Sequence, residues 1–144
     1  MTNSSTTVSA ELGLQLVVPQ EGIVPLVASL YYAKDDPYAV SLAFHVGLDE
    51  PVEWTFGREL LAIGVEGVAG LGDVRIWQSA ESSSGLVAVL NIELSSPYGQ
   101  ATFEAPVAEV ADFLDRTYQI VPAGQESEHI DFEAGLTELL REAL

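Results

Sequence analysis

The sequence has no cysteine, a single methionine and two histidines among its 144 residues. Without thiols there is no disulfide framework and no thiolate metal site. His45 and His129 lie far apart, and neither has a second histidine at helical spacing, so no transition-metal ligand set is in view. Positive charge is equally scarce: five Lys and Arg face 22 Asp and Glu, a net charge of −17. Such a chain repels phosphate backbones and anionic lipid headgroups. The imbalance is spread along the chain, with nine acids and two bases in residues 1–72 and thirteen acids and three bases in residues 73–144. It therefore describes a solubilising surface and not an acidic tail. Long apolar runs are missing too. A stretch such as residues 23–32 is far too short to cross a bilayer, and Met1-Thr2-Asn3-Ser4-Ser5 lacks the basic and apolar regions of a signal peptide. These absences predict a soluble, cytoplasmic protein with no direct membrane insertion.

What is present is strand periodicity. The length fits one domain, 1–144, with a full core, and with the Ser/Thr-rich residues 1–7 disordered. Val8, Ala10, Leu12, Leu14, Leu16 and Val18 alternate with polar or small residues up to Pro19. Val24 to Tyr32 and Tyr38 to Val46 alternate in the same way, separated by the turn Lys34-Asp35-Asp36-Pro37. The chain is then organised around Val52-Glu53-Trp54-Thr55-Phe56-Gly57-Arg58-Glu59-Leu60-Leu61. Its first half has the two-residue period of a strand, and after Gly57 come helix formers that Gly64 is placed to end in a left-handed cap. Trp54 is the largest side chain available to fill that strand-to-helix join. Residues 64–72, with four glycines, read as a mobile loop. Strands follow at 73–78, 86–94 and 99–105, the first two joined by a flexible 79–85. Pro106 introduces a helix whose apolar stripe is Val107, Val110, Ala111, Phe113 and Leu114, and a last helix starts from Asp131 with Phe132, Leu136, Leu139, Leu140 and Ala143 on one side. Four strands, a helix, three strands and two helices make an α+β fold with a largely antiparallel sheet.

No catalytic pattern emerges. The glycines at 64–72 are not followed by Gly-Lys-Ser/Thr and have no lysine beside them, so a phosphate cradle is not supported. The acidic segment around His129 matches no calcium loop, and Asp35/Asp36 and Asp49/Glu50 sit in turns, where acids serve the backbone. No Gly-x-Ser-x-Gly elbow exists. The chain reads as a protein without enzymatic activity, cofactor or metal. One feature departs from an ordinary globular surface: mean hydropathy is +0.24 despite the charge. Strand positions expected to face outward are apolar at Val17, Val27, Tyr31, Ala39, Ala43, Trp77, Val87 and Val89, which predicts a subunit or partner contact. Trp77 is the leading candidate, out of phase with Val74 and Ile76 and on the same face as Arg75. The competing reading packs Trp77 under the helix at 107–118.

Several stretches carry a family resemblance along the chain: Asp36-Pro37-Tyr38-Ala39-Val40, Val52-Glu53-Trp54 with Arg58-Glu59-Leu60-Leu61, Gly72-Asp73-Val74-Arg75-Ile76-Trp77, Leu94-Ser95-Ser96-Pro97, Glu104-Ala105-Pro106, and Val121-Pro122 with Gly124 and Glu126. In these the chain resembles the SsgA-like sporulation and cell-division proteins of actinobacteria. Val8-Ser9 with Glu11-Leu12 and the Trp77 position are most similar to the SsgB branch. Tyr98 departs from the acidic residue expected in its turn. The resemblance implies a whirly-like fold, a homo-oligomer with a trimer favoured, and a scaffold that marks septum sites. It also implies recruitment of the tubulin-like division protein FtsZ, together with SsgA-like relatives and a membrane-protein anchor at the septum. It brings no catalytic residues. The fold likeness raises a single-stranded nucleic-acid-binding module as the alternative, and the 64–72 loop a small-molecule site as a third.

Overall fold

The computed structural model describes residues 7–18, 20–45, 51–81, 87–97, 99–129 and 132–143. Four strands come first, β1 (Thr7–Val18), β2 (Gly22–Ala33), β3 (Asp36–His45) and β4 (Val52–Gly57), followed by helix α1 (Arg58–Glu66). Four more follow, β5 (Val68–Leu71), β6 (Val74–Glu81), β7 (Val87–Ser96) and β8 (Gly99–Pro106). Helix α2 (Val107–Ile120), a 3-10 turn at Glu126–His129 and helix α3 (Phe132–Ala143) complete the order. All strands join one antiparallel sheet, β4-β3-β2-β1-β8-β7-β6-β5. Each half is a meander, and the halves meet where Gln15, Leu16 and Val17 of β1 pair with Glu104, Phe103 and Thr102 of β8.

The strand alternation sets the sheet's inner face. Leu12 and Leu14 of β1, Ala28 and Leu30 of β2, and Val40 and Leu42 of β3 are buried there. Ile76, Leu90 and Ile92 extend the same core across the second half. Phe44 and Phe103 stack with ring centroids 4.5 Å apart, although two strands separate β3 from β8. The sheet therefore curls until β3 and β8 meet across its inner face, as twisted antiparallel sheets tend to do. On α2 the expected stripe is confirmed: Val110, Phe113 and Leu114 are buried, and Glu109, Asp112 and Asp115 face out. Full burial of a leucine or phenylalanine side chain of this kind is worth about 1.5–3 kcal/mol.

Several expectations need correction. Gly64 does not end α1, which runs on to Glu66 with Gly67 as its C-cap at φ −170°. Gly64 is instead buried where the helix crosses β6, and a Cβ there would fall well inside van der Waals distance of the Ile76 side chain. The glycine-rich 64–72 segment is not a loop. It holds the last turn of α1 and then β5, which forms a tight hairpin with β6 through Gly72 at φ +61° and Asp73. Four residues are too few to show a period, and the glycines masked the strand. That removes the loop on which the small-molecule reading rested. β6 continues through Ser79, Ala80 and Glu81, leaving 82–85 of the supposed flexible link, and residue 86 of the strand expected after it, outside the described residues.

Thr7 is ordered in β1, paired with Ala33, whereas residues 1–6, Val46, Asp49, Glu50, Tyr98 and the proposed cap Asp131 lie outside the described residues. Trp54 does not fill the strand-to-helix join. It lies half-buried in an apolar groove of about 630 Å³ at the opposite end of the strands, with Leu26, Phe44 and Phe103. The join is filled by Phe56 and Arg58. Ala43 and Val89 are buried and contribute nothing to an outer patch. Val27 and Tyr31 are exposed as expected, while Val17 and Ala39 are only half-exposed. Leu139 and Leu140 of α3 are 63% and 51% exposed.

Candidate protein-contact face and a buried arginine cluster

β6 alternates Val74, Arg75, Ile76, Trp77. Val74 and Ile76 are buried in the core, so Arg75 and Trp77 project from the outer face. Trp77 does not lie beneath α2, which packs on β1, β7, β8 and α1, while α1 covers the inner face of β6. The structure thus brings the two candidate residues together. The Arg75 guanidinium carbon lies 5.3 Å from the centre of the Trp77 ring, within cation–π range. Arg75 Nη1 also reaches Glu93 Oε1 at 3.4 Å, a long contact in water that leaves the side chain 59% exposed.

Trp77 has two cross-strand neighbours. On one side is Val68 of β5, 69% exposed, which widens the apolar surface. On the other is Asn91 of β7, which donates from Nδ2 to Trp77 O at 3.2 Å and to Ser79 Oγ at 3.0 Å. The asparagine ties down the strand that carries the indole. An aromatic ring and a valine beside one arginine can bury apolar area and offer a charged hydrogen bond, as the anchor of a protein interface does. They offer no nucleophile and no acid–base pair. Of the other polar candidates, His45 is exposed with Nε2 2.9 Å from Ser29 Oγ, and the side chain of His129 is outside the described residues. Among the described residues no three His, Asp or Glu side chains converge as metal ligands would.

Sequence reasoning missed Arg58. It opens α1, where the helix dipole disfavours a cation, yet it is 1% exposed. Its Nη1 donates to Val121 O at 2.7 Å and Thr117 O at 3.3 Å, and its Nη2 to Glu126 Oε2 at 2.8 Å. The guanidinium sits between two aromatic rings, 4.9 Å from the centre of Tyr32 and 4.4 Å from that of Tyr118. One side chain thereby ties the start of α1 to the end of α2 and to the 3-10 turn. The hydrogen bond from Arg58 holds the Glu126 carboxyl below its ordinary range. Burial pushes the Tyr32 phenol up to about 12, against the opposing pull of Arg58, and its hydroxyl donates to Pro37 O at 3.0 Å. Burial also raises Tyr118. The missed signal was a cation at a helix N-terminus in a chain with so few of them.

Comparison with known proteins gives a consistent picture. The model of the family described as "Streptomyces sporulation and cell division protein, SsgA" matches residues 26–126. A "Sporulation-specific cell division protein SsgB" of Thermobifida fusca (strain YX) is 56% identical over 140 residues, covering 97% of this chain and 99% of that one. A protein of the same description from Streptomyces coelicolor is 47% identical over 139 residues, covering 96% and 99%. The crystal structure of an SsgA-like sporulation-specific cell division protein from Thermobifida fusca YX-ER1 superposes with a TM-score of 0.82 at 56% identity. That superposition covers 96% of this chain and 98% of the other.

Proposed function

Because this chain belongs to the SsgA family of sporulation and cell division proteins, we propose that it is a non-enzymatic scaffold of sporulation-linked cell division. In this reading it marks septum sites from the cytoplasmic side and recruits the tubulin-like division protein FtsZ. SsgA-like relatives assist, and a membrane-protein anchor holds it in place. No helix among the described residues is long and apolar enough to cross a membrane, so attachment by a separate protein fits. The observation that carries the reading is Trp77, half-buried on the outer sheet face with exposed Val68 and Arg75 beside it. FtsZ is implied to be acidic, so the contact rests on this apolar surface and its arginine, and long-range attraction does not steer it. A quantitative pull-down with FtsZ, SsgA-like relatives and candidate anchors tests the reading. Retention of FtsZ supports it, and retention of none of them overturns it.

The chain also assembles, in this reading, as a homo-oligomer with a trimer favoured. Val27 and Tyr31 on the outer face of β2, and Leu139 and Leu140 on α3, are exposed apolar groups of the kind that subunit contact covers. The nucleic-acid alternative loses ground. Arg58, one of five bases, is buried and paired, so a positive groove would have to be made from the remaining four.

A further inference from the structure

The sheet does not close into a barrel. Its two edge strands, β4 and β5, are joined in sequence by α1, and between them lies a cleft of about 400 Å³. Tyr38, Leu60, Ile63 and Leu71 supply its apolar lining, and Glu59 and Glu126 its charge. Tyr38 and Ile63 are exposed, and Leu71 is 74% exposed. That gathers large apolar side chains in one place on a strongly acidic protein.

The backbone of β5 supplies the second observation. Leu71 and Val74 close the two-residue turn, so Leu71 and Ala69 exchange hydrogen bonds with β6. The bond from Gln78 N to Gly67 O, 3.1 Å, continues the same phase. Val68 and Gly70 therefore turn their N–H and C=O groups to the open side of the strand. β5 carries none of the usual guards against added strands: it has no proline, no charge and no bulge in its pairing.

Charge selects the occupant. Beside Glu59 and Glu126, exposed Glu66 and Asp73 flank the two ends of β5. Arg58, the base in the lining, is buried against Glu126, and Arg75, opposite Gly70, is turned to Glu93 and Trp77. We propose that this seam docks an extended protein segment whose α1-facing side carries both apolar and basic residues, added as a further strand on β5. Its main chain pairs with Val68 and Gly70, its apolar side chains cover Tyr38, Ile63 and Leu71, and its basic ones meet Glu59, Glu66 and Asp73. A second copy of this chain, also at −17, brings the wrong charge. The acidic FtsZ surface does too, so FtsZ is not the occupant of this seam, which borders the Trp77 face at Val68 but is tested independently of it.

The probe is a fluorescein-labelled peptide of about eight residues in which valine and lysine take turns at every second position with threonine between them, a length matched to a strand. A second peptide is N-methylated at alternate backbone amides, which keeps charge and side chains but prevents pairing. Fluorescence anisotropy at about 0.15 M salt is read with amide hydrogen exchange of the full chain. The expected result is binding of the first peptide about tenfold tighter than the second, with slowed exchange at Val68 and Gly70. Leu71→Ser and Ile63→Ser, both at exposed positions, should each weaken it several-fold. Equal binding of the two peptides, which would mean mere adsorption to the acidic surface, overturns the proposal. So do no binding, unprotected Val68 and Gly70 amides, or wild-type affinity in both variants.

Discussion

Replacing Arg58 with alanine removes the group on which two helices and a 3-10 turn converge. Val121 O loses a 2.7 Å charge-assisted bond, and Glu126 loses its 2.8 Å partner while only 17% exposed. Thr117 O is less affected, because Val121 N still donates to it at 2.9 Å. A slot also opens between the Tyr32 and Tyr118 rings. Breaking a buried pair from one side costs about 3–5 kcal/mol. With a urea slope of about 2 kcal/mol per molar, the unfolding midpoint should fall by about 2 M. Arg58→Lys should fall between, since one ammonium cannot serve the carbonyls and the carboxylate from a planar fork. Glu126→Gln, which keeps an acceptor, should cost about 1–2 kcal/mol. Urea denaturation followed by circular dichroism and tryptophan fluorescence measures all three. A loss below about 1 kcal/mol for Arg58→Ala, at an unchanged slope, would refute the reasoning.

Other outcomes follow from the same packing. Gly64→Ala places a methyl against Ile76 and should destabilise by about 1–3 kcal/mol, readable as a lower urea midpoint, although alanine is the better helix former. The Tyr32 phenol, raised to about 12 when folded, contributes stability that is complete below the unfolded value of about 10 and is lost as pH rises through 12. Tyr32→Phe should lose about 1 kcal/mol at neutral pH with the bond to Pro37 O, and its urea midpoint should fall less than wild type between neutral and alkaline pH. Light scattering coupled to gel filtration should show an oligomer at micromolar concentration. A monomer persisting at tenfold higher concentration would remove the assembly.

The strands with the cleanest alternation, β1 to β3, were legible because one face is core and the other is not. The strand-to-helix change at Gly57 was legible from the same change of period. β5 was not, since its existence depends on β6 being beside it and not on its own residues. Gly64 was misread because its need for a missing side chain arises from Ile76, distant in sequence. Arg75 and Trp77 could be placed on one face by alternation alone. The Arg58 cluster needed the fold, because Tyr32, Thr117, Val121 and Glu126 come together only when the two meanders close. Burial on the outer face was the least legible property, as Ala43 and Val89 show.

The proposed Trp77 contact with FtsZ is tested most directly by co-sedimentation with FtsZ polymers across a salt series from about 0.05 to 0.3 M. If an apolar surface joins two acidic proteins, salt screens their repulsion, and wild-type binding should hold or strengthen as salt rises. Trp77→Ala should lose about tenfold in affinity at every salt while keeping the wild-type urea midpoint. A complex that dissolves steadily with added salt, or a Trp77→Ala variant that sediments like wild type, would contradict the account.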